Sequence, residues 1–570
     1  MLDKPFRSEC FLGYVNEVSP QKVSIHFPSA NLLQRFRRNG QVFSGGNVGE
    51  FVLIEGERYG FLAKTFNLKL PDSERKELSE KAVSEETSIF HPIAEAELLL
   101  SFSVSNPAHA EKTISRFPEI GAKVYASSKE YVSNFVERFG VGKDNKAFVE
   151  LGRLASDGTK CELSLDALLG RHCAVVGTTG SGKSWTTAKV IESVLNETKD
   201  KLILVDPTGE YSPLDKCRGC RRVTMGTDGY FSYKNLRISD LMCLLRPTGQ
   251  MQRPILLEAI RSLKTVRVAE ACGDTTFADL RKDGLLLKAG QVKANVRYFQ
   301  ARHQAQIDDR RCDFDIRMLW HQIKEECVKA GDATKWGVFD NWSWECQSSL
   351  IFRINELTHS HEFDALFNFS GENAAGNDII SRFDVFNRNV RTQLLRLDFS
   401  GTSSSFNARE ILANSVARYL YDSSKEGKFK KKPLVFVLDE AHLFLNKNLI
   451  EADQSLTPLD AVDLIAKECR KFGLFLCLAT QMPRDIPVGT LSQMGAFIVH
   501  RLINEQDRRT VEMACSVATK SALSYLPALG AGETIVMGVD FPMPIPLRIS
   551  EPTIRPRSDT PKLVAAVHRK

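Results

Sequence analysis

Short stretches of alternating apolar and polar residues fill the first part of the chain. FLGYVNEVSPQKVSIHF, GNVGEFVLIEGERYGFLAKTFNL and AEAELLLSFSVS are such stretches, separated by Gly, Pro and Asn. A period of two over short runs is the mark of half-buried strands, and this spacing predicts a small barrel or an open sandwich. From about residue 148 the pattern changes to strand, loop, helix. RHCAVVG reads as a buried strand, a glycine loop follows, WTTAKVIESVLNET reads as a helix, and KLILVD is a second buried strand. Alternation of that kind predicts a parallel sheet flanked by helices. Between about 245 and 375 strand signals are few, whereas PILLEAIRSLKTV and FDIRMLWHQIKEECVKAG carry helical periodicity. Strands return at QLLRLDF, PLVFVLD and LFLCLAT, and GETIVMGVDFPMPIPLRIS reads as a hairpin followed by an extended strap.

The expected organisation is therefore α/β. A small N-terminal β-barrel covers 1–145, and a nucleotide-binding core is formed by 146–244 and 376–525. A helical insertion occupies 245–375, and a C-terminal hairpin and strap occupies 526–570.

Composition narrows the class without deciding it. At 570 residues the chain exceeds one ordinary core. With 43% hydrophobic and 26% charged residues it belongs with globular proteins. The net charge of +6, from 76 basic and 70 acidic residues, permits an acidic partner but does not demand one. No segment approaches the roughly 20 apolar residues that cross a bilayer. The opening MLDKPFRSECFLGY lacks the apolar region of a signal peptide, so the thirteen cysteines are expected to be reduced thiols in a cytoplasm. Cys217 and Cys220 form one CxxC with no second ligand pair at zinc spacing, which favours a basic loop over a metal site.

Gly177 to Ser184, GTTGSGKS, fits G-x-x-x-x-G-K-[ST] and stands between a strand and a helix. Glycines let successive N–H groups turn toward phosphates, and the following helix directs its positive end at the same anion. Gly177, Thr179, Gly180, Ser181, Gly182, Lys183, Ser184 and Trp185 are the candidate nucleotide contacts. Lys183 is placed to reach the β- and γ-phosphates and Ser184 to ligate Mg²⁺. LVFVLDE brings Asp439 to the end of a buried strand as a second Mg²⁺ residue, with Glu440 placed to orient or deprotonate water. An Asp-Glu pair also serves as a helix N-cap. The strand GLFLCLATQ ends in Thr480 and Gln481, polar groups suited to sensing the γ-phosphate. Hydrolysis of ATP is the expected chemistry.

The letters D-E-A-H at 439–442 also name a group of RNA helicases. Those enzymes resemble two RecA-like lobes in one chain, and after Asp439 too little sequence follows for a second. A single lobe needs an arginine from elsewhere to stabilise charge on the transferred phosphoryl group. A ring in which each subunit lends one to its neighbour meets that need. Arg470 and Lys471 in AKECRKFGLF are candidates, and they are equally suited to capping a helix C-terminus.

The series RHCAVVGTTGSGKS, VDPTGEY, LLRLDFSG, VLDEAHLF, IAKECRKFGLFLCLATQMP and LSQMGAFIVHRL resembles the HerA branch of the HerA/FtsK ATPases from about 145 to 550, and the first segment resembles the HAS-barrel that precedes the lobe there. The resemblance implies a homohexamer that uses ATP and Mg²⁺ to move along double-stranded DNA. It assigns Arg470 as an arginine acting in trans, Arg171 as one acting in cis, Gln481 to the sensor strand end, and Asp206 and Glu210 to the outer shell of the site. Thr208 departs from the family, which has His there. The resemblance also implies a second protein as partner, a nuclease or a sirtuin-like NAD-degrading effector, in DNA-end processing or anti-phage defence.

Candidates for DNA contact are KCRGCRR at 216–222 and the basic residues of 295–311, stretches that more often form only a solvated face. KFKKK at 428–432 reads as a flank of the following strand. Three functions stay open at this point: a DNA-translocating motor, an ATP-gated scaffold for an effector, and a small-molecule kinase, against which Glu440 and Arg470 speak.

Overall fold

A computed structural model describes residues 5–558 except 21, 35, 39–40, 44, 76–89, 106–109, 112–115, 129–131, 133–146, 156–157 and 446–458. The expected end of the first domain at 145 and the helix expected soon after D-E-A-H fall on residues outside this set, as does the end of the strap.

The N-terminal strands close on themselves. Phe11–Val18 pairs antiparallel with Lys22–His26 on one side and Lys123–Ala126 on the other. Lys123–Ala126 continues to Phe51–Ile54, then Tyr59–Lys69, then Ile93–Ser103. Ile93–Ser103 pairs back onto Lys22–His26, so six strands make a closed barrel rather than an open sandwich. Inward positions at every second residue fill it, among them Leu12, Val23, Ile25, Val52, Ile54, Ala94, Ala96 and Val124, all fully buried. Gly13 leaves no room for a side chain, because a Cβ there would lie 2.2 Å from the carbonyl oxygen of His26.

The described residues divide into two compact units. One comprises Met1–Asp200, Val435–Val437 and Phe475–Lys570; the other comprises Lys201–Leu434 and Leu438–Leu474. In the first, Cys173–Val176 lies parallel between Leu474–Thr480 and Ala496–Val499. The sheet then turns antiparallel through Glu533–Gly538, Ile545–Ile549, Phe148–Leu154 and Lys160–Ser164. The expected C-terminal hairpin is thus part of this sheet. In the second unit, Lys201–Asp206 and Cys220–Thr224 flank Leu394–Asp398, all parallel. The strands Cys173–Val176, Lys201–Asp206 and Leu434–Leu438 are buried at every position, which is why the sequence shows them as unbroken apolar runs.

The insertion is helical as expected. Gly249–Ala271 is its long element, and Leu319–Glu326 packs against it. Val266, Phe277, Leu286, Val296, Phe299 and Ile307 form a core of its own. A two-residue hairpin, Arg281–Lys282 with Leu285–Leu286, is the strand content that helical periodicity could not reveal. The fold is a RecA-like P-loop lobe with a helical insertion, preceded by a small β-barrel. Among the described residues no helix is long and apolar enough to cross a membrane.

Candidate functional site

The glycine loop leaves the C-terminal end of Cys173–Val176 and enters the helix Lys183–Glu197. Gly180 and Gly182 have φ of 73° and 105°, the left-handed region where side chains are strained. Gly177 is needed for a different reason: a Cβ there would sit 2.5 Å from Cβ of His500. The loop is tied down on several sides. Gly177 N–H donates to the Thr480 carbonyl (3.2 Å), Thr178 N–H to that of Arg501 (3.1 Å), and the Ser181 hydroxyl to that of Thr178 (2.6 Å). The Thr179 hydroxyl donates to Gln481 Oε1, so two expected site residues meet at the end of the strand Leu474–Thr480.

Beneath the loop lies a residue the sequence reading did not single out. His500 is fully buried. Its ring lies 3.1 Å from the carbonyl of Glu533 through Nδ1 and 2.8 Å from the Thr186 hydroxyl through Nε2. A carbonyl only accepts, so Nδ1 carries the proton and Nε2 accepts from Thr186. Burial, and after it the charge of Lys183, push the imidazole down to about 4, so it is neutral at pH 7. Gly532, at φ 76°, donates its N–H to the Ser181 carbonyl at 2.9 Å. The only sequence signals were a histidine closing an apolar strand (AFIVH) and glycines opening the next (GAGET).

Lys183 is 4% exposed at the start of the helix, and Ser184 and Trp185 are partly exposed. No Cβ at Gly180 would touch anything within 4 Å. An open cradle of backbone amides, a helix N-terminus and one buried ammonium fit a polyphosphate.

Asp439 and Glu440 follow the strand Leu434–Leu438 in the second unit. Asp439 is fully buried and its N–H donates to the Val205 carbonyl at 3.2 Å. Glu440 is 5% exposed and adopts φ 45°, ψ 48°. A left-handed glutamate is strained, and such strain gathers where a side chain must be aimed. Its carboxylate lies 3.3 Å from Nδ1 of His442. Directly after the pair, Ala441–Leu443 is a single 3-10 turn.

Asp206 ends the neighbouring strand Lys201–Asp206. It accepts from the N–H groups of Gly209 (2.8 Å) and Tyr211 (3.0 Å), which folds VDPTGEY into a tight loop. Burial raises its carboxyl, with the charge of Asp439 adding to the rise and Arg396 opposing it. Arg396, in the middle of LLRLD, was missed by the sequence reading. It is 1% exposed and meets Asp206 at 2.9 Å, Asp215 at 2.6 Å and Asp398 at 3.1 Å. Burial works against the charged form of Asp398, yet Ser400 and Arg396 hold it below the usual carboxylate range. An arginine inside a buried apolar strand was the available signal, since such a charge needs partners.

The two expected arginines lie in different units, Arg171 in the first and Arg470 in the second. Arg470 is exposed in the turn Arg470–Phe472 after the helix Ala461–Glu468, and among the described residues no carboxylate pairs with it. Arg171 was expected to act in cis. It lies before the first residue of Cys173–Val176, one strand length from the loop and roughly 13 Å away along it. There its Nε bonds Asp540 at 2.6 Å.

Among the described residues no group of three or more His, Cys, Asp or Glu side chains is set to hold a metal. A divalent ion that relies on one serine and one aspartate has to arrive with phosphate oxygens, as Mg²⁺ does with a nucleotide. Cys217 and Cys220 are free thiols, the second pushed up to about 12 by burial and then by Asp215.

A glycine-loop strand, its helix and a buried strand ending in Asp-Glu define a P-loop ATPase. Two family models match it: the central domain of helicase HerA over residues 149–325 and the HerA-like C-terminal domain over 417–563. Together they span more than half of the sequence, and the chain belongs to the HerA family. A probable helicase of Methanocaldococcus jannaschii is 25% identical over 71% of this chain and 70% of its own length. The DNA double-strand break repair helicase HerA of Pyrococcus furiosus is 22% identical over 70% of this chain and 69% of its own. Among solved structures, VirB4 of Thermoanaerobacter pseudethanolicus aligns at 12% identity over 72% of this chain and 98% of that one, with a TM-score of 0.45.

Proposed function

We propose that the chain is an ATP-driven motor that acts on double-stranded DNA as a ring of six identical subunits. The observation that carries this reading is that a chain of the HerA family holds both an open P-loop cradle and a strained glutamate at a buried strand end. Relatives whose names state repair of DNA double-strand breaks support the choice of DNA.

In this reading the amides of Thr179 to Trp185 hold the phosphates of ATP, and Lys183 neutralises the β- and γ-groups. Ser184 and Asp439 hold Mg²⁺, which supplies charge neutralisation between phosphates. Glu440 orients water and accepts its proton, and its left-handed backbone aims the carboxylate. Gln481, held by Thr179, reports the state of the γ-phosphate to its strand. Arg470, exposed and without an ion pair among the described residues, is presented to the next subunit's nucleotide. The exposed Arg218, Arg221 and Arg222, with Arg297, Arg302, Arg310 and Arg311, supply a sequence-blind, salt-sensitive grip on DNA. The output passes through a partner, a nuclease or a NAD-degrading enzyme, in DNA-end processing or phage defence.

The test is DNA-stimulated ATP hydrolysis and strand displacement by the full chain, alone and in subunit mixtures. Glu440→Gln and Arg470→Ala chains are each expected to be inactive. Mixed, they regain activity at interfaces that pair an intact Glu440 with an intact Arg470. An Arg470→Ala chain that turns over at the unsubstituted rate sinks the shared-arginine ring. Hydrolysis without strand displacement, with a partner still activated, replaces the motor by an ATP-gated scaffold.

A further inference from the structure

The strap after the C-terminal hairpin follows the helix Lys183–Glu197 toward the phosphate cradle. Thr553 donates its N–H and its hydroxyl to the two carboxylate oxygens of Glu192, both at 2.7 Å. Two residues on, the guanidinium of Arg555 lies over the indole of Trp185, 5.8 Å from the ring centroid. Glu192 and Trp185 are seven positions apart, hence on one face and about 10 Å along the axis. The strap thus runs antiparallel to the helix and reaches its first turn. Pro552 and Pro556 are buried on either side, so this path is fixed by packing as well as by hydrogen bonds.

Trp185 is the second residue after the P-loop lysine. The lysine of such a loop reaches the β- and γ-phosphates, and the first-turn amides hold the α/β end. The triphosphate therefore runs from Lys183 toward the amides of Ser184 and Trp185, and the sugar and base continue outward past the Trp185 side chain. A partly exposed indole carrying a guanidinium is what waits there, and Arg555 keeps 67% of its side chain open to solvent. Indole rings and guanidinium planes both stack on nucleobases.

We infer that the Trp185–Arg555 pair is the wall of the nucleotide site that receives the base, so that the C-terminal strap, and not the P-loop alone, determines base affinity and preference. The inference rests on the nucleotide reading of the P-loop and adds the groups that recognise the base. A larger aromatic surface gains more from stacking, so the wall favours purine over pyrimidine nucleotides. Thr553 and Glu192 are positioning residues that hold Arg555 over the ring.

The experiment uses the full chain and compares two ligands, ATP and inorganic tripolyphosphate, which has the charges but no base. Trp185→Leu is expected to raise KM for ATP about tenfold, in line with the loss of one base stack. Its kcat stays within about twofold, and the inhibition constant of tripolyphosphate is unchanged. Trp185→Phe restores most of the affinity, and Arg555→Met weakens ATP by a few-fold while leaving tripolyphosphate alone. The advantage of ATP over UTP narrows in both Trp185→Leu and Arg555→Met. Equal weakening of ATP and tripolyphosphate overturns the inference, because the residues then act on the loop and not on the base. Unchanged KM in both Trp185→Leu and Arg555→Met overturns it as well. Should the unsubstituted chain bind neither ligand in a Lys183-dependent manner, the nucleotide reading falls first and this inference with it.

Discussion

Around the glycine loop polarity is supplied by backbone dipoles, small hydroxyls, one neutral imidazole and a single ammonium, that of Lys183, whereas around the strand Leu394–Asp398 it is supplied by a cluster of full charges. His500 sits under the loop uncharged, with a hydroxyl on one nitrogen and a carbonyl on the other. Arg396 sits among Asp206, Asp215 and Asp398 with all four groups partly or wholly withdrawn from water. The contrast follows from what each region has to do. An anion is held well by aligned amides, which cost little to bury because they are already hydrogen-bonded dipoles. Carboxylates that must stay ionised inside a protein need a cation built in, or burial neutralises them.

The largest test of this contrast separates binding from chemistry. Lys183→Ala removes the one full charge on the loop side, and kcat/KM for ATP is expected to fall about 10²- to 10³-fold. Glu440→Gln keeps size and strain but removes the carboxylate proposed to accept the proton, so kcat is expected to fall about 10²- to 10⁴-fold. Nucleotide affinity, read by equilibrium binding of ADP, is lost in the first variant and kept in the second. If both variants lose affinity alike, the proposed division between a loop that binds and a glutamate that does chemistry is wrong.

Next in size is Arg396→Met. It leaves three carboxylates around an apolar side chain, and removal of one partner from a buried charge cluster costs about 3–5 kcal/mol. Thermal unfolding at pH 7 should show this as a large drop in Tm, part of which returns at pH 5 as the carboxylates take up protons. Arg396→Lys keeps the charge but not the forked geometry on Asp215, and is expected to fall between the two. A Tm unchanged by Arg396→Met would show that the cluster is an ornament of the fold.

These regions also differ in how far they were legible beforehand. The loop is written in eight consecutive residues, and the strand ending in Asp439 in seven, because local geometry sets both. Arg396 and His500 depend on partners far along the chain. Arg396 is buried because the parallel register sets it beside Leu204 and Arg222, and His500 because Ala496–Val499 pairs beside Cys173–Val176. A one-residue change of register would turn either side chain to the other face. Nothing within a window of ten residues encodes that. The barrel shows the same limit: its strands were readable from alternation, and its closure through Lys22–His26 against Ile93–Ser103 was not.

A third test uses pH on the loop side. The folded pKa of His500 is depressed to about 4, so the native state excludes a proton that the unfolded chain binds below about 6.5. Stability from the neutral imidazole is complete above pH 6.5 and is lost as pH falls from there to 4, by about 3 kcal/mol in all. His500→Gln retains a donor and an acceptor but cannot titrate. It should lower Tm at pH 7 and show a shallower fall in Tm between pH 6.5 and 4 than the unsubstituted chain. Parallel Tm curves across that window would mean that the imidazole is hydrated in solution.

The smallest expected effect comes from the contact that joins hairpin to loop. Gly532 adopts φ 76°, and a Cβ placed there would touch nothing within 4 Å, so Gly532→Ala has room and suffers only the left-handed backbone. That strain is worth about 1–2 kcal/mol. Gly182→Ala meets the same strain at φ 105° and in addition a contact of 3.1 Å with the Gly532 backbone. If the loop side is held by backbone placement, Gly182→Ala lowers ATP affinity more than Gly532→Ala, although each only replaces a hydrogen by a methyl group and neither alters a charge. Gly532→Ala should raise KM for ATP no more than about tenfold, with kcat unchanged, because the Ser181 carbonyl keeps its donor if the strained backbone persists. A larger loss at Gly532 than at Gly182 would mean that the hairpin, not the loop, fixes the cradle.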